Sequence, residues 1–131
     1  MVDEIQFLSV DDVLAIHEDT VANEGGSAGL RDLGLLEAAV MTPRQQFGGV
    51  YLHDGLAAMA AAYLFHIASN HPFVDGNKRA AAMSAIVFLD ANNVARLPDP
   101  DAMTDMTLRV ASGIATKAQL IAWMREQIGM T

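Results

Sequence analysis

Between residues 70 and 83 the chain reads NHPFVDGNKRAAAM, which gathers His71, Asp75, Asn77, Lys78 and Arg79 around Gly76 and then turns apolar. Only eight lysines and arginines occur in the 131 residues, against sixteen aspartates and glutamates, so this adjacent pair of cations stands out. Asn70-His71-Pro72 ends the preceding helical stretch, because the residue before a proline is pushed out of the α region. Gly76 lets the backbone approach a ligand closely. The helix expected from residue 77 points its unpaired N–H groups and positive dipole end back into the loop, an arrangement suited to phosphate. Cations are unfavourable at that end of a helix. Lys78 and Arg79 sit there nonetheless, which fits a bound polyanion. Asp75 could give a carboxylate oxygen to Mg2+, an ion commonly shared with substrate phosphates. A neutral imidazole at His71 could take a proton from an incoming hydroxyl. Base, metal carboxylate and phosphate cradle are the parts needed for transfer from a nucleoside triphosphate. Singly, each residue also reads as an ordinary turn, helix cap or solvated side chain. Five polar residues between two apolar helices are poorly explained that way.

The elements that position this loop are helical, and the architecture is expected to be all-α, with about six helices in a single domain spanning 1–131. Ser9 can cap a first helix, with Asp11 and Asp12 in its first turn and Val13, Leu14, His17 and Val21 at helical spacing. NEGGSAG, residues 23–29, ends it. Asp32 can cap a second helix, LGLLEAAVM, which stops before Pro43. Gly48-Gly49, between Phe47 and Val50-Tyr51, fits a tight turn or small hairpin near residues 45–52. Asp54 is expected to cap an apolar helix over 55–69, and another runs over 77–92 to Asn92-Asn93. Both are apolar nearly all round, so both should be central. Two further helices are expected over 100–112 and 116–128, the second opened by a capping box, Thr116 to Gln119, and closed by Gly129.

Composition bounds the function. Hydrophobic residues make up 52% of the chain, which is globular rather than disordered. The formal net charge is −8, so no basic face exists to neutralise a nucleic-acid backbone, and direct nucleic-acid binding is not expected. The absence of cysteine excludes disulfides and thiolate metal sites. The start, MVDEIQFLSVDD, lacks the features of a signal peptide. The longest apolar run, Leu56 to Phe65, is too short to span a bilayer. A cytoplasmic protein without membrane association is expected.

The residues from His71 to Arg79 also resemble the signature of the Fic/Doc superfamily, H-x-F-x-D-(G/A)-N-(G/K)-R, at every defining position. LSVDDVLAIHED, GGSAGLRDLGLLEAAV, QQFGG and FLDANNV extend the resemblance to the death-on-curing (Doc) branch over nearly the whole chain. That branch consists of compact helical toxins paired with a small antitoxin of the prevent-host-death type. The resemblance implies His71 as catalytic base, Asp75 as Mg2+ ligand, Gly76 and Asn77 as backbone and side-chain parts of the anion cradle, and Arg79 on phosphate oxygens. It implies that Phe73 lies under the loop and holds His71. It also makes Phe47, Gly48, Gly49, Val50 and Tyr51 the flap over which a target lies, and an exposed hairpin edge can bind a target by strand addition.

Two departures from the adenylylating branch bear on the reaction. That branch continues G-N-G-R-x-x-R, whereas here Lys78 replaces the second glycine and Ala82 the final arginine. Without that arginine, and with Lys78 added, the γ-phosphate can occupy the cradle, so the same base directs phosphoryl transfer from ATP. Elongation factor Tu is the target this branch implies. Gly76 itself matches the adenylylating pattern more closely. The alternatives are therefore an adenylyltransferase using the same His71 and, outside the enzymes, a non-catalytic antitoxin-binding module. Intact His71 and Asp75 count against the last. Elsewhere, His17, His53 and His66 lack metal-ligand spacing and are expected to be structural. Tyr63, Phe65, Phe88 and Trp123 are expected in the core, and Arg31 and Arg44 on the solvated surface.

Overall fold

The computed structural model describes residues 4–130; residues 1–3 and 131, at the ends of the expected domain and in the stretch read for targeting signals, lie outside it. The described residues form α1 (Val10–Glu24), α2 (Leu33–Met41), a 3-10 turn (Thr42–Arg44), strands β1 (Gln46–Phe47) and β2 (Val50–Tyr51), α3 (Leu56–Asn70), α4 (Asn77–Ala91), α5 (Pro100–Ala111) and α6 (Lys117–Ile128). The all-α expectation holds. No helix is long and apolar enough to cross a membrane among the described residues.

Local signals set most boundaries. Ser9 and Asp12 close a capping box on α1, Asp32 accepts the Leu35 N–H to start α2, and Thr116 with Gln119 forms the second capping box, on α6. One expected cap is absent. The N-cap of α3 is Gly55, without a side-chain hydrogen bond, and not Asp54. Gly55 has the open backbone angles that let the chain swing directly into the helix, so no Asp54 cap is required.

Of the two apolar helices, α3 is the central one. Ten of its fifteen residues are buried, and it packs on α2, α4, α5, α6 and the 3-10 turn. The other, α4, is only partly enclosed: Lys78, Met83 and Asp90 are exposed, because one side of this helix borders open clefts. Tyr63 and Phe88 fill the core, with ring centroids 5.2 Å apart, while Phe65 and Trp123 are half-buried against it. The hairpin pairs Gln46 with Tyr51 and Phe47 with Val50, turning through Gly48 and Gly49, both at positive φ as a tight two-residue turn demands.

Candidate active site

The loop between α3 and α4 begins at His71, which caps α3 with a left-handed φ of 49°. Such a conformation is uncommon for a residue with a side chain and points to a place where the fold overrides local preference. Arg31 supplies much of that override. Its Nε donates to the His71 carbonyl at 2.7 Å and its Nη2 to the Asn70 carbonyl at 2.9 Å, satisfying the end of the helix that carries the candidate base. The Pro72 carbonyl accepts from the Arg31 and Asp32 N–H groups, and the Val74 N–H donates to the Gly29 carbonyl. Leu30 and Phe73 form an isolated bridge. Arg31 is exposed, as expected, and is at the same time a scaffold of the loop. Arg44 is engaged as well, donating to the Leu8 carbonyl at 2.7 Å and lying over the Phe7 ring.

Beneath the loop, Phe73 is buried, and its ring stacks on that of His17. His17, itself 4% exposed, sends Nε2–H to the Asp75 carbonyl at 2.7 Å, so a histidine outside the motif shapes the motif's main chain. Asn77 is turned inward. Its Oδ1 accepts the Phe73 N–H at 2.9 Å and its Nδ2 donates to the Phe73 carbonyl at 3.0 Å. The side chain that the resemblance assigned to the anion cradle is thus a clamp across the loop, because a buried amide needs both its polar ends satisfied. Asn77 still lines the cavity at the start of α4.

Above the loop the chemistry-bearing groups converge. His71, Asp75, Gly76, Asn77, Lys78, Arg79 and Ala82 line one cavity of about 460 Å³, closed on the far side by Thr104, Thr107 and Leu108 of α5. That volume is in the range of small-molecule sites. The first turn of α4 has neither a side-chain cap nor an acidic residue, so its leading N–H groups remain donors facing the mouth. Lys78 is exposed and makes no ion pair among the described residues. Arg79 meets Glu24 at 4.0 Å, and both are substantially exposed, so the pair is weak and a phosphate could displace it. Past Arg79, Ala82 and Thr104 the cavity continues into an apolar groove lined by Met83, Ile86, Leu97 and Met103.

Asp75 is exposed at the mouth. Its Oδ1 accepts the Gly76 N–H at 2.8 Å and its Oδ2 the Ser27 N–H at 3.3 Å. These two bonds, the Gly76 one first, hold its carboxyl below the ordinary carboxylate range, with the Arg79 charge adding to them. The approach of the 26–29 segment depends on glycine. At Gly26, φ +113°, a Cβ would lie 2.8 Å from Asp75 Oδ2. A signal for this segment was present in the small residues of GGSAG, which read as a helix stop and as part of the resemblance but not as a neighbour of Asp75. Among the described residues no group of three or more histidines, aspartates and glutamates could hold a metal ion. Any ion at Asp75 would therefore draw most of its ligands from phosphate and water, which is the usual habit of Mg2+.

The hairpin residues Phe47, Gly48, Gly49, Val50 and Tyr51 lie apart from this loop in the sequence. Phe47 and Val50 are 80% and 68% exposed, so the hairpin offers apolar side chains and a free edge to a partner.

A family model described as the Fic/DOC family matches residues 7–89, which include α1, the hairpin, α3, the loop and most of α4. A protein kinase doc from Escherichia phage P1 is 29% identical over 125 residues, 95% of this chain and 98% of that one. A toxin Doc from Mycolicibacterium smegmatis is 46% identical over 77 residues, 59% of either chain.

Proposed function

The chain belongs to the Fic/DOC family, and on that premise we propose that it is a Doc-type toxin, an enzyme moving the γ-phosphate of Mg-ATP to a serine or threonine hydroxyl of a translation protein. The observation that carries this reading is the convergence of His71, Asp75, the open start of α4, Lys78 and Arg79 on one cavity. The names of the two relatives, a protein kinase and a toxin, agree with it. Elongation factor Tu is the target we infer, and an antitoxin of the prevent-host-death type the partner, with the cytoplasm as the place of action.

In this mechanism the triphosphate lies along the α4 N-terminus, where main-chain N–H groups, Lys78 and Arg79 meet its oxygens. The adjoining apolar groove suits the less polar nucleoside end. Asp75, ionised and exposed, fits an ion held jointly with phosphate, and bound Mg2+ would neutralise charge on the phosphate oxygens. His71, held at the end of α3 by Arg31, accepts the proton of the target hydroxyl. The hydroxyl oxygen bonds to the γ-phosphorus, the bond from that phosphorus to the β–γ bridging oxygen breaks, and ADP leaves. Ala82 matters by its size: it leaves the cavity wall open where an arginine would grip the distal phosphates.

Mass spectrometry of elongation factor Tu incubated with the protein, Mg2+ and ATP tests this. A phosphate adduct is the expected result. An adenylyl adduct would replace the reaction with adenylylation by the same His71, and no adduct would favour a binding module.

A further inference from the structure

Three basic side chains meet away from the catalytic loop. Lys117, the first residue of α6, places its Nζ 2.7 Å from His53 Nε2 and 2.9 Å from His66 Nε2. His53 lies two residues beyond β2, and His66 lies on α3, the helix that ends at His71. An ammonium only donates, so both imidazoles must turn a lone pair toward it and carry their proton on Nδ1. The only carboxylate within ion-pair distance of any lysine or arginine among the described residues belongs to the Arg79–Glu24 pair. Lys117 thus sits half-buried with two neutral rings in place of an acid. Burial, and then the Lys117 charge, push both histidines below their ordinary values, and burial lowers Lys117 as well.

Such a cluster is a costly way to fill space, since a desolvated cation gains less than an apolar side chain of the same volume. It does fix geometry, because each of its hydrogen bonds has one direction. The hairpin needs fixing. Its strands are two residues each, and only Tyr51 is partly covered, so its pairing cannot hold it in place alone. At its entry Arg44 bonds the Leu8 carbonyl, and at the end of β2 Tyr51 packs on Phe7 at 5.6 Å. At its exit there are two tethers, both to α6: His53 to Lys117, and the Asp54 carbonyl to Arg125 Nη2 at 3.4 Å. The first is much the shorter.

We propose that Lys117, gripped between His53 and His66, is a positioning residue that holds the flap at a set place relative to the catalytic loop, and thereby sets the affinity for the protein target without touching it. The target half of this statement rests on the function proposed above; the tether itself does not. The charged or titratable residues at this junction include His53 and Asp54 from the loop, His66 from α3, and Lys117 and Arg125 from α6.

The test uses the full chain as Lys117→Met, His53→Ala and the double variant. Hydrogen exchange over residues 46–52 should quicken about tenfold in each single variant while α3 stays protected, and the double variant should be no faster than the faster single one. In target phosphorylation, KM for the protein target should rise about tenfold, with kcat and KM for ATP within about twofold of wild type. The His66 ring, freed of the Lys117 charge, should titrate above its original value near 4 when followed by NMR in Lys117→Met. Wild-type hairpin exchange in both single variants, or fully additive effects in the double, overturns the tether. Faster exchange with an unmoved target KM overturns instead the reading of the hairpin as the target's seat.

Discussion

The imidazole of His17 lies flat against the ring of Phe73, with centroids 3.7 Å apart and planes 3° from parallel, while its Nε2 reaches the Asp75 carbonyl at 2.7 Å. A helix nearly sixty residues away in sequence thus props the loop between α3 and α4 from below. Since a carbonyl can only accept, the ring must carry its proton on Nε2.

Replacing that prop has a defined cost. His17→Leu leaves the part-buried Asp75 carbonyl without a donor, which should lower stability by about 1–3 kcal/mol. Phosphoryl transfer should fall with it, because Asp75 moves. His17→Gln keeps an N–H in reach and should recover part of both. Thermal melts and transfer assays on the pair check this, and equal damage from both variants would deny the hydrogen bond its role.

His71→Ala should separate chemistry from folding. Arg31 holds the His71 carbonyl and not its ring, so truncating the side chain leaves the loop's anchors in place. Loss of a general base should slow transfer by about 10²–10⁴-fold. A folded variant with near-normal transfer of γ-labelled phosphate would remove His71 from the reaction.

Gly26→Ala should damage Mg2+ use more than stability. The added Cβ meets Asp75 Oδ2 at 2.8 Å, and the cheapest relief is for that carboxylate to swing away. The strained φ should cost about 1 kcal/mol. Transfer assayed across Mg2+ concentrations should show a raised requirement. An unchanged Mg2+ profile would argue that Asp75 does not hold the ion.

Lys78→Gly with Ala82→Arg restores the adenylylating pattern. Positions 79 and 82 share a helix face at i, i+3 and line the same cavity, so two arginines could grip one polyphosphate. A preference of about 1.4 kcal/mol between the two poses of ATP shifts their ratio tenfold. Loss of phosphoryl transfer and a gain of adenylylation are expected, read with γ- and α-labelled ATP in parallel. Unchanged γ-label transfer would mean that these positions do not set the pose.

Stability should rise with pH through the mildly acid range. His66 is pushed down to about 4 in the fold, chiefly by burial, and His53 is lowered for the same reason. Between these values and the ordinary imidazole value near 6.5, the unfolded chain binds the extra protons. Their contribution is therefore complete above about pH 6.5 and lost as the pH falls toward the folded values. Melting temperatures of wild type and His66→Gln compared from pH 7 to 4 check this. The variant should lose part of the slope, and identical slopes would show that His66 does not titrate with unfolding.

Much of this was legible in the chain because its signals are local. Ser9, Asp32, Thr116 and the Gly48-Gly49 turn act within a few residues, and the loop motif carries its chemistry in nine consecutive positions. What escaped is long-range. His17 with Asp75, Arg31 with His71, and Lys117 with His53 and His66 lie 40 to 64 residues apart, and no periodicity announces such meetings. Asn77 misled for another reason: a polar residue beside a ligand site resembles a ligand-binding group until its partners are known. Asp54 is similar, a good capping residue placed one position too early beside a glycine that needed no help.

The alanines of α3 have a thermodynamic meaning for His71, which follows them. Ala57, Ala58, Ala60, Ala61, Ala62 and Ala68 are all buried. Alanine has no rotamers to surrender on burial, so this central helix is ordered without the side-chain entropy loss that larger residues would incur. It has no rotamers with which to yield either. Enlarging one of these alanines would overpack the core, at a cost of about 1–3 kcal/mol. The point from which His71 projects is therefore carried by a helix whose buried face is, at six of ten positions, without side-chain freedom.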